Sequence, residues 1–263
     1  MITVQLKGGI GNQLYQIAAI YSHAKEHNLK FVLNYELEFG AMQGLHPKTY
    51  KNTFYKNLES IEKDFNIACR EPSFKHSTIP FLGIEHDVVY DGYYQSWKYF
   101  QSLSRDDLNS IFDFGELIDK VDNTINNLKT KNNVSNVVGV HIRRGDYFRN
   151  PQIFNIIKSD YYDKAKGHFD KDDTLFLYCT DDKVTVNKEF SFDERNILSN
   201  ASTELLDLCL LSRCDSLIMA NSSFSAWGGY LGKEKQKIFY PQNWFAKEGP
   251  STSDLIDPNW IGL

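Results

Sequence analysis

The sequence predicts an α/β fold built on parallel sheets, and three observations carry that prediction. The N-terminus reads strand, glycine-rich turn, amphipathic helix, strand, which is a β–loop–α–β unit. From residue 137 onward, short apolar runs alternate with helical patterns in a regular rhythm. Val137 to Val140 is an unbroken apolar run, of the kind a strand covered on both faces makes.

Taken in order, Ile2 to Leu6 is the first strand, and Lys7-Gly8-Gly9-Ile10-Gly11-Asn12 is the turn. Leu14, Ile17, Ala18, Tyr21 and Ala24 recur at helical spacing to about His27, and Phe31 to Leu33 is the next strand. Residues 35–90 are irregular, with scattered aromatics and prolines, and predict long loops and short elements. A charged helical pattern covers 103–128 with Gly115 as its break, and the polar 129–136 stretch is the best linker. That places an N-terminal domain at 1–130 and a C-terminal one at 137–263. In the second, strands at 137–142, 174–179, 197–198, 216–220 and 237–240 alternate with helices at 159–169, 203–212 and 224–231.

The chain has 263 residues, 41% of them hydrophobic and 14% aromatic, enough for a sizeable core. Its net charge of −5 offers no general attraction for nucleic acid or an anionic membrane. No apolar stretch is long enough to span a bilayer, and no signal-peptide pattern opens the chain, so a cytoplasmic location is expected. The 4 cysteines form no C-x-x-C pair and read as buried thiols, without a disulfide frame or zinc site.

Local positive charge is concentrated in His141-Ile142-Arg143-Arg144-Gly145-Asp146, at the carboxyl end of the buried strand. Strand alternation sends His141 and Arg143 to one face and Arg144 to the other. Arginine suits phosphate because its fork donates bidentately and its charge does not titrate away. The competing reading is a strand end whose arginines pair with Asp146. Gly145 is expected to let the backbone turn.

Other strand ends carry complementary chemistry. Thr180-Asp181-Asp182 ends a strand in two carboxylates: either acidic residues favouring a helix start, or an acceptor for a nucleobase with paired N–H donors, as guanine has. Asn221-Ser222-Ser223-Phe224-Ser225 puts hydroxyls at a helix start, either as an ordinary cap or as an anion site. At the N-terminus, Leu14 stands where a dinucleotide fingerprint needs its third glycine, and no Walker lysine follows. Gly9, Asn12 and Gln13 then form either a plain turn or a backbone that approaches a ligand. Together the strand ends describe a nucleoside diphosphate pocket.

Gly8-Gly9-Ile10-Gly11-Asn12-Gln13, Gly92-Tyr93-Tyr94-Gln95-Ser96, His141 to Asp146 and Asn221 to Ser225 resemble the ordered signature of the α-1,2-fucosyltransferase family. The resemblance runs from Leu6 to about Tyr240. The wider group, with α-1,6- and protein O-fucosyltransferases, shares the arginine motif and a Thr-Asp-Asp similar to Thr180-Asp181-Asp182. It implies a GT-B-like fold, two Rossmann-like domains facing across a cleft, and inverting transfer of L-fucose from GDP-fucose to an acceptor glycan without metal or other cofactor. By that resemblance Arg143 meets the β-phosphate, helped by Arg144. His141 and Asp182 lie near guanine and ribose, and Asn221, Ser223, Phe224 and Ser225 belong to the phosphate segment. Gly9, Asn12, Gln13, Tyr94 and Gln95 fall on the acceptor side. For the base, Asp146 is the candidate nearest in sequence, or else an orienter of Arg143 or Arg144; Asp91, Glu36 and Glu38 are alternatives from the N-terminal half, and no strong base is needed if GDP departure runs ahead of attack. One position departs from the family pattern: Ala226 stands where a tryptophan is usual. Transferases of other sugar nucleotides and a non-catalytic carbohydrate-binding module are the competing readings.

Overall fold

The computed structural model describes residues 1–37, 44–250 and 254–263. The chain divides into two compact units, Met1–Gly115 with Ser251–Asp257, and Glu116–Pro250 with Pro258–Leu263.

In the first unit, strand β1 (Ile2–Val4) leads through the glycine turn into helix α1 (Ile10–Glu26). Gly8 has φ +75°, and a Cβ there would lie 2.3 Å from the Asn12 amide nitrogen, so the turn requires glycine. Strands β2 (Ile67–Arg70) and β3 (Val88–Asp91) complete a parallel sheet in the order β1-β3-β2. Both lie in the stretch whose pattern predicts mainly loops. Phe31 and Leu33 make single parallel bridges, to Ile2 and to Ser60, in place of the expected strand. Helix α2 (Arg105–Ile111) starts in a Ser104/Asp107 capping box, and Gly115, at φ +55°, interrupts the helical pattern a few residues after its end.

The second unit begins earlier than expected. Helix α3 (Leu117–Asn132) runs through the first half of the polar stretch, 129–136, predicted to be a linker. It belongs to this unit because Val121 and Ile125 are buried. Arg213 clasps Asp122 through two bonds of 2.7 Å, and Lys129 pairs with Asp215 at 2.9 Å. Strand β4 (Asn136–Ile142) is followed by α4 (Ser159–Lys166), β5 (Thr174–Thr180), α5 (Lys183–Glu189) and β6 (Asn196–Leu198). Then come α6 (Glu204–Arg213), β7 (Ser216–Ile218), α7 (Ser223–Tyr230), β8 (Ile238–Tyr240) and β9 (Ile261–Gly262). The sheet order is β6-β5-β4-β7-β8-β9, with every pair parallel.

The central strands are covered on both faces, as the continuous apolar run requires. Val138, Val140 and Ile142 join Phe176, Tyr178, Tyr162 and Val186 in one core layer. Residues of the other parity meet α6: a Cβ on Gly139 would lie 3.0 Å from Leu211. The strand order reverses beside β4, with β5 and β6 on one side and β7 to β9 on the other. Such a switch point opens a crevice at the carboxyl ends of the strands.

Candidate active site

A cavity of about 220 Å³ opens at those carboxyl ends. His141 and Arg143 line it from β4, and Cys179, Thr180 and Asp181 from β5. Lys183 follows at the start of α5; residues 201–203 lead into Glu204 and Asp207 on α6, and Phe224 comes from α7. The sheet therefore brings together the basic, acidic and hydroxyl-rich strand ends that the sequence singles out.

His141 is buried, with its ring 5.1 Å from that of Phe224 and its Nδ1 without a hydrogen-bond partner. Burial, and secondarily Arg143, pull its pKa down to about 3, so it is a neutral imidazole. Arg143 is the cationic centre. Its Nη2 bonds Asp146 Oδ1 at 2.5 Å, its Nη1 lies 3.0 Å from Asp181 Oδ2, and it stands over the Tyr147 ring at 5.5 Å. Burial opposes its charge, but the two carboxylates outweigh that and raise its pKa.

Arg144 takes the opposite face, as strand alternation requires, and does not line the cavity. It is 2% exposed, and its Nε bonds Glu189 at 2.7 Å while its Nη1 and Nη2 donate to the carbonyls of Arg143 and Ile157. It ties the site loop to α5 instead of offering donors to a phosphate. Asp182, expected near the nucleoside, is the N-cap of α5: it accepts from Thr185 N at 3.0 Å and from the Thr185 hydroxyl at 2.6 Å. Of the two neighbouring acids it is Asp181 that lines the cavity, and it also accepts the Arg144 N–H at 2.9 Å. Gly145 is explained by space, not by a turn needing positive φ, since a Cβ would lie 2.3 Å from Asp181 Oδ2.

Asp146 sits behind Arg143, on the short helical turn Gly145–Arg149, with its Oδ2 buried and unpartnered. It holds the guanidinium and does not line the cavity. Asn221 is buried and donates to the carbonyls of Asn155 and Trp244, while Tyr147 donates to its carbonyl at 2.7 Å. The Ser225 hydroxyl donates to Ala220 O and Ser222 O, and Ser222 caps α7. Of this segment, Phe224 reaches the cavity; Ser223 is half-buried at the first turn of α7, and Ala226 is fully buried.

In the first unit, the Gln95 side chain donates to Asn12 Oδ1 at 2.6 Å, joining two of the expected acceptor-side residues, with Gly9 at the N-cap of α1. Gln13 is fully buried, its amide bonded to Gly8 O and accepting from the Tyr55 hydroxyl, so it is not presented outward. Tyr94 is likewise buried, at φ +50°, with its ring edge-on to Tyr99. The exposed ring of that motif is Tyr93, beneath the Lys7 ammonium at 4.9 Å. Asp91 is engaged by Lys7 at 2.6 Å and Glu36 by Lys48 at 2.7 Å; Glu38 lies outside the described residues.

Sequence reasoning missed Cys179, Lys183, residues 201–204 and Asp207 as cavity residues. The Thr203 cap ahead of the apolar run at 205–211 was the available signal. Among the described residues, no cluster of His, Cys, Asp and Glu is arranged to hold a metal, and no helix is long and apolar enough to cross a membrane.

Residues 1–263 match the family described as glycosyl transferase family 11. The chain is 28% identical over 305 residues to the O-antigen biosynthesis glycosyltransferase WbnK of Escherichia coli, covering 98% of this chain and 99% of that protein. It is 26% identical over 298 residues to an α-1,2-colitosyltransferase of Escherichia coli, covering 100% and 99%. A galactoside 2-α-L-fucosyltransferase of Caenorhabditis elegans is 26% identical over 293 residues, covering 100% and 79%. In fold, the chain is similar to POFUT1 in complex with GDP-fucose, with TM-score 0.53, 10% identity and coverage of 91% and 97%.

Proposed function

This chain belongs to glycosyl transferase family 11, and from that premise we propose that it transfers L-fucose from GDP-fucose to the 2-hydroxyl of a galactose in an acceptor glycan. Transfer inverts the anomeric centre and requires no metal. The observation that carries this reading is Arg143, held between Asp146 and Asp181 and lining a cavity at the strand ends. The departing diphosphate gathers negative charge as the sugar carbon becomes cation-like. A guanidinium already oriented by carboxylates stabilises that charge without reorganising, which is where such sites gain most. Asp146 acts through Arg143, fixing its fork. His141, neutral and with a free ring nitrogen, adds a hydrogen-bonding group at the cavity wall without a second charge. The free cysteines support a reducing, cytoplasmic setting.

The relative named as an α-1,2-colitosyltransferase supports a second reading, in which the transferred sugar is colitose. Thermal-shift measurements with GDP, UDP and ADP test the nucleotide, because a ligand that binds only the native state raises its stability. GDP should give the largest shift. Incubation with GDP-fucose and galactose-terminated acceptors, with and without EDTA, tests the rest. A protein that UDP stabilises more than GDP, or whose transfer EDTA abolishes, refutes this assignment.

A further inference from the structure

We propose that binding of the nucleotide sugar at the Arg143 edge is coupled to uptake of one proton by Asp181. This rests on the donor reading above and adds to it the ionic state of the site.

One guanidinium is shared by two carboxylates, Asp146 at 2.5 Å and Asp181 at 3.0 Å. Arg143 and Asp181 line the cavity, whereas Asp146 lies behind. A diphosphate esterified at both ends brings further negative charge to the same cation. The other cation of the cavity wall, Lys183, already donates to Ala201 O at 3.1 Å. A phosphate oxygen that takes the Nη1 N–H now facing Asp181 breaks the Arg143–Asp181 pair.

Asp181 has little freedom to swing away. Its Oδ1 accepts the Arg144 N–H at 2.9 Å, and its Oδ2 lies against Gly145, where an added Cβ would come within 2.3 Å of it. A pinned carboxylate that loses its cation and gains an anionic neighbour relaxes by taking a proton. Burial already pushes the Asp181 carboxyl upward, against the pull of Arg143 and the Arg144 N–H, with Asp146 adding to the rise. The other titratable groups around it are His141, Cys179, Lys183, Glu204 and Asp207 in the cavity wall, and Tyr147 against Arg143. The proton comes from solvent and ends on Oδ2. The guanidinium–carboxylate pair is replaced by a guanidinium–phosphate pair, and no covalent bond of the donor changes.

The test is calorimetric titration of the whole chain with GDP-fucose in buffers of different ionisation enthalpy. GDP-fucose is the probe because its doubly esterified diphosphate does not titrate near neutrality. Uptake should approach one proton per protein, and affinity should fall by up to about tenfold per pH unit across the coupled range. Asp181→Asn should bind with affinity almost independent of pH and without uptake. Infrared difference spectra of the wild type should gain a protonated-carboxyl band on GDP-fucose addition, which decides the matter even if Asp181→Asn does not fold. Tight GDP-fucose binding with no proton exchange and no such band overturns this inference alone. Uptake that persists in folded Asp181→Asn overturns it too, and a wild type that does not bind GDP-fucose removes the donor reading along with it.

Discussion

Arg143 and Arg144 share a side-chain type and differ in everything around it. Arg143 keeps a guanidinium at the cavity, and Arg144 spends its donors on Glu189 and two carbonyls inside the fold. Arg143→Ala should therefore lower transfer by a factor of about 100 to 1,000 with the fold intact, the loss typical of a preorganised donor. Arg144→Ala leaves a buried carbonyl and Glu189 without their donor and should destabilise by about 3 kcal/mol. Urea unfolding and turnover measured on both variants check this, and the reverse pattern would exchange their roles. The parity of a strand made the division readable: His141 and Arg143 fall on one face, Arg144 on the other. What parity did not reveal is that the carboxylate on Arg143 comes from β5 as well as from Asp146. That contact joins strands adjacent in space and distant in sequence.

At the level of elements, the carboxyl end of β5 shows why neighbouring acids divide their work. Asp182 satisfies the first free N–H groups of α5, and Asp181 faces the cavity. Removing the cap in Asp182→Ala should cost about 1 kcal/mol and leave GDP-fucose affinity within about threefold of the wild type. A loss of affinity well beyond that would return Asp182 to the donor site. Most elements of the second unit were legible because a buried parallel sheet leaves unbroken apolar runs and its helices leave a helical period. The first unit was less so. Over very short spans, strand β2 alternates part-exposed and exposed residues and β3 buried and part-exposed ones, and Phe31 to Leu33 makes bridges only. The supposed linker misled because α3 is polar on its outer face; its place is fixed by Val121, Ile125 and the Asp122–Arg213 clasp.

Across the whole molecule, each unit encloses a histidine kept neutral by burial: His23, lowered to about 4, in the first, and His141, lowered to about 3, in the second. An unfolded chain protonates both near pH 6.5. Their folded pKa values are depressed, so the unfolded state binds more protons below that point. The stability they contribute is complete above it and lost as pH falls towards the folded values. For His141 the slope is about 1.4 kcal/mol per pH unit. His23 adds in the same direction, with Glu26 opposing the effect of burial and His27. Glu71, Asp181 and Asp207, raised by burial, work the other way, since their stabilising effect grows as pH falls. Total stability is thus a poor readout, and the difference between wild type and His141→Gln isolates the histidine. Urea unfolding at about pH 7 and pH 5 should show the wild type losing roughly 2 kcal/mol more than the variant. Equal losses would mean that His141 takes up its proton as readily in the folded chain as in the unfolded one, and at pH 5 the cavity would then carry a third cation beside Arg143 and Lys183.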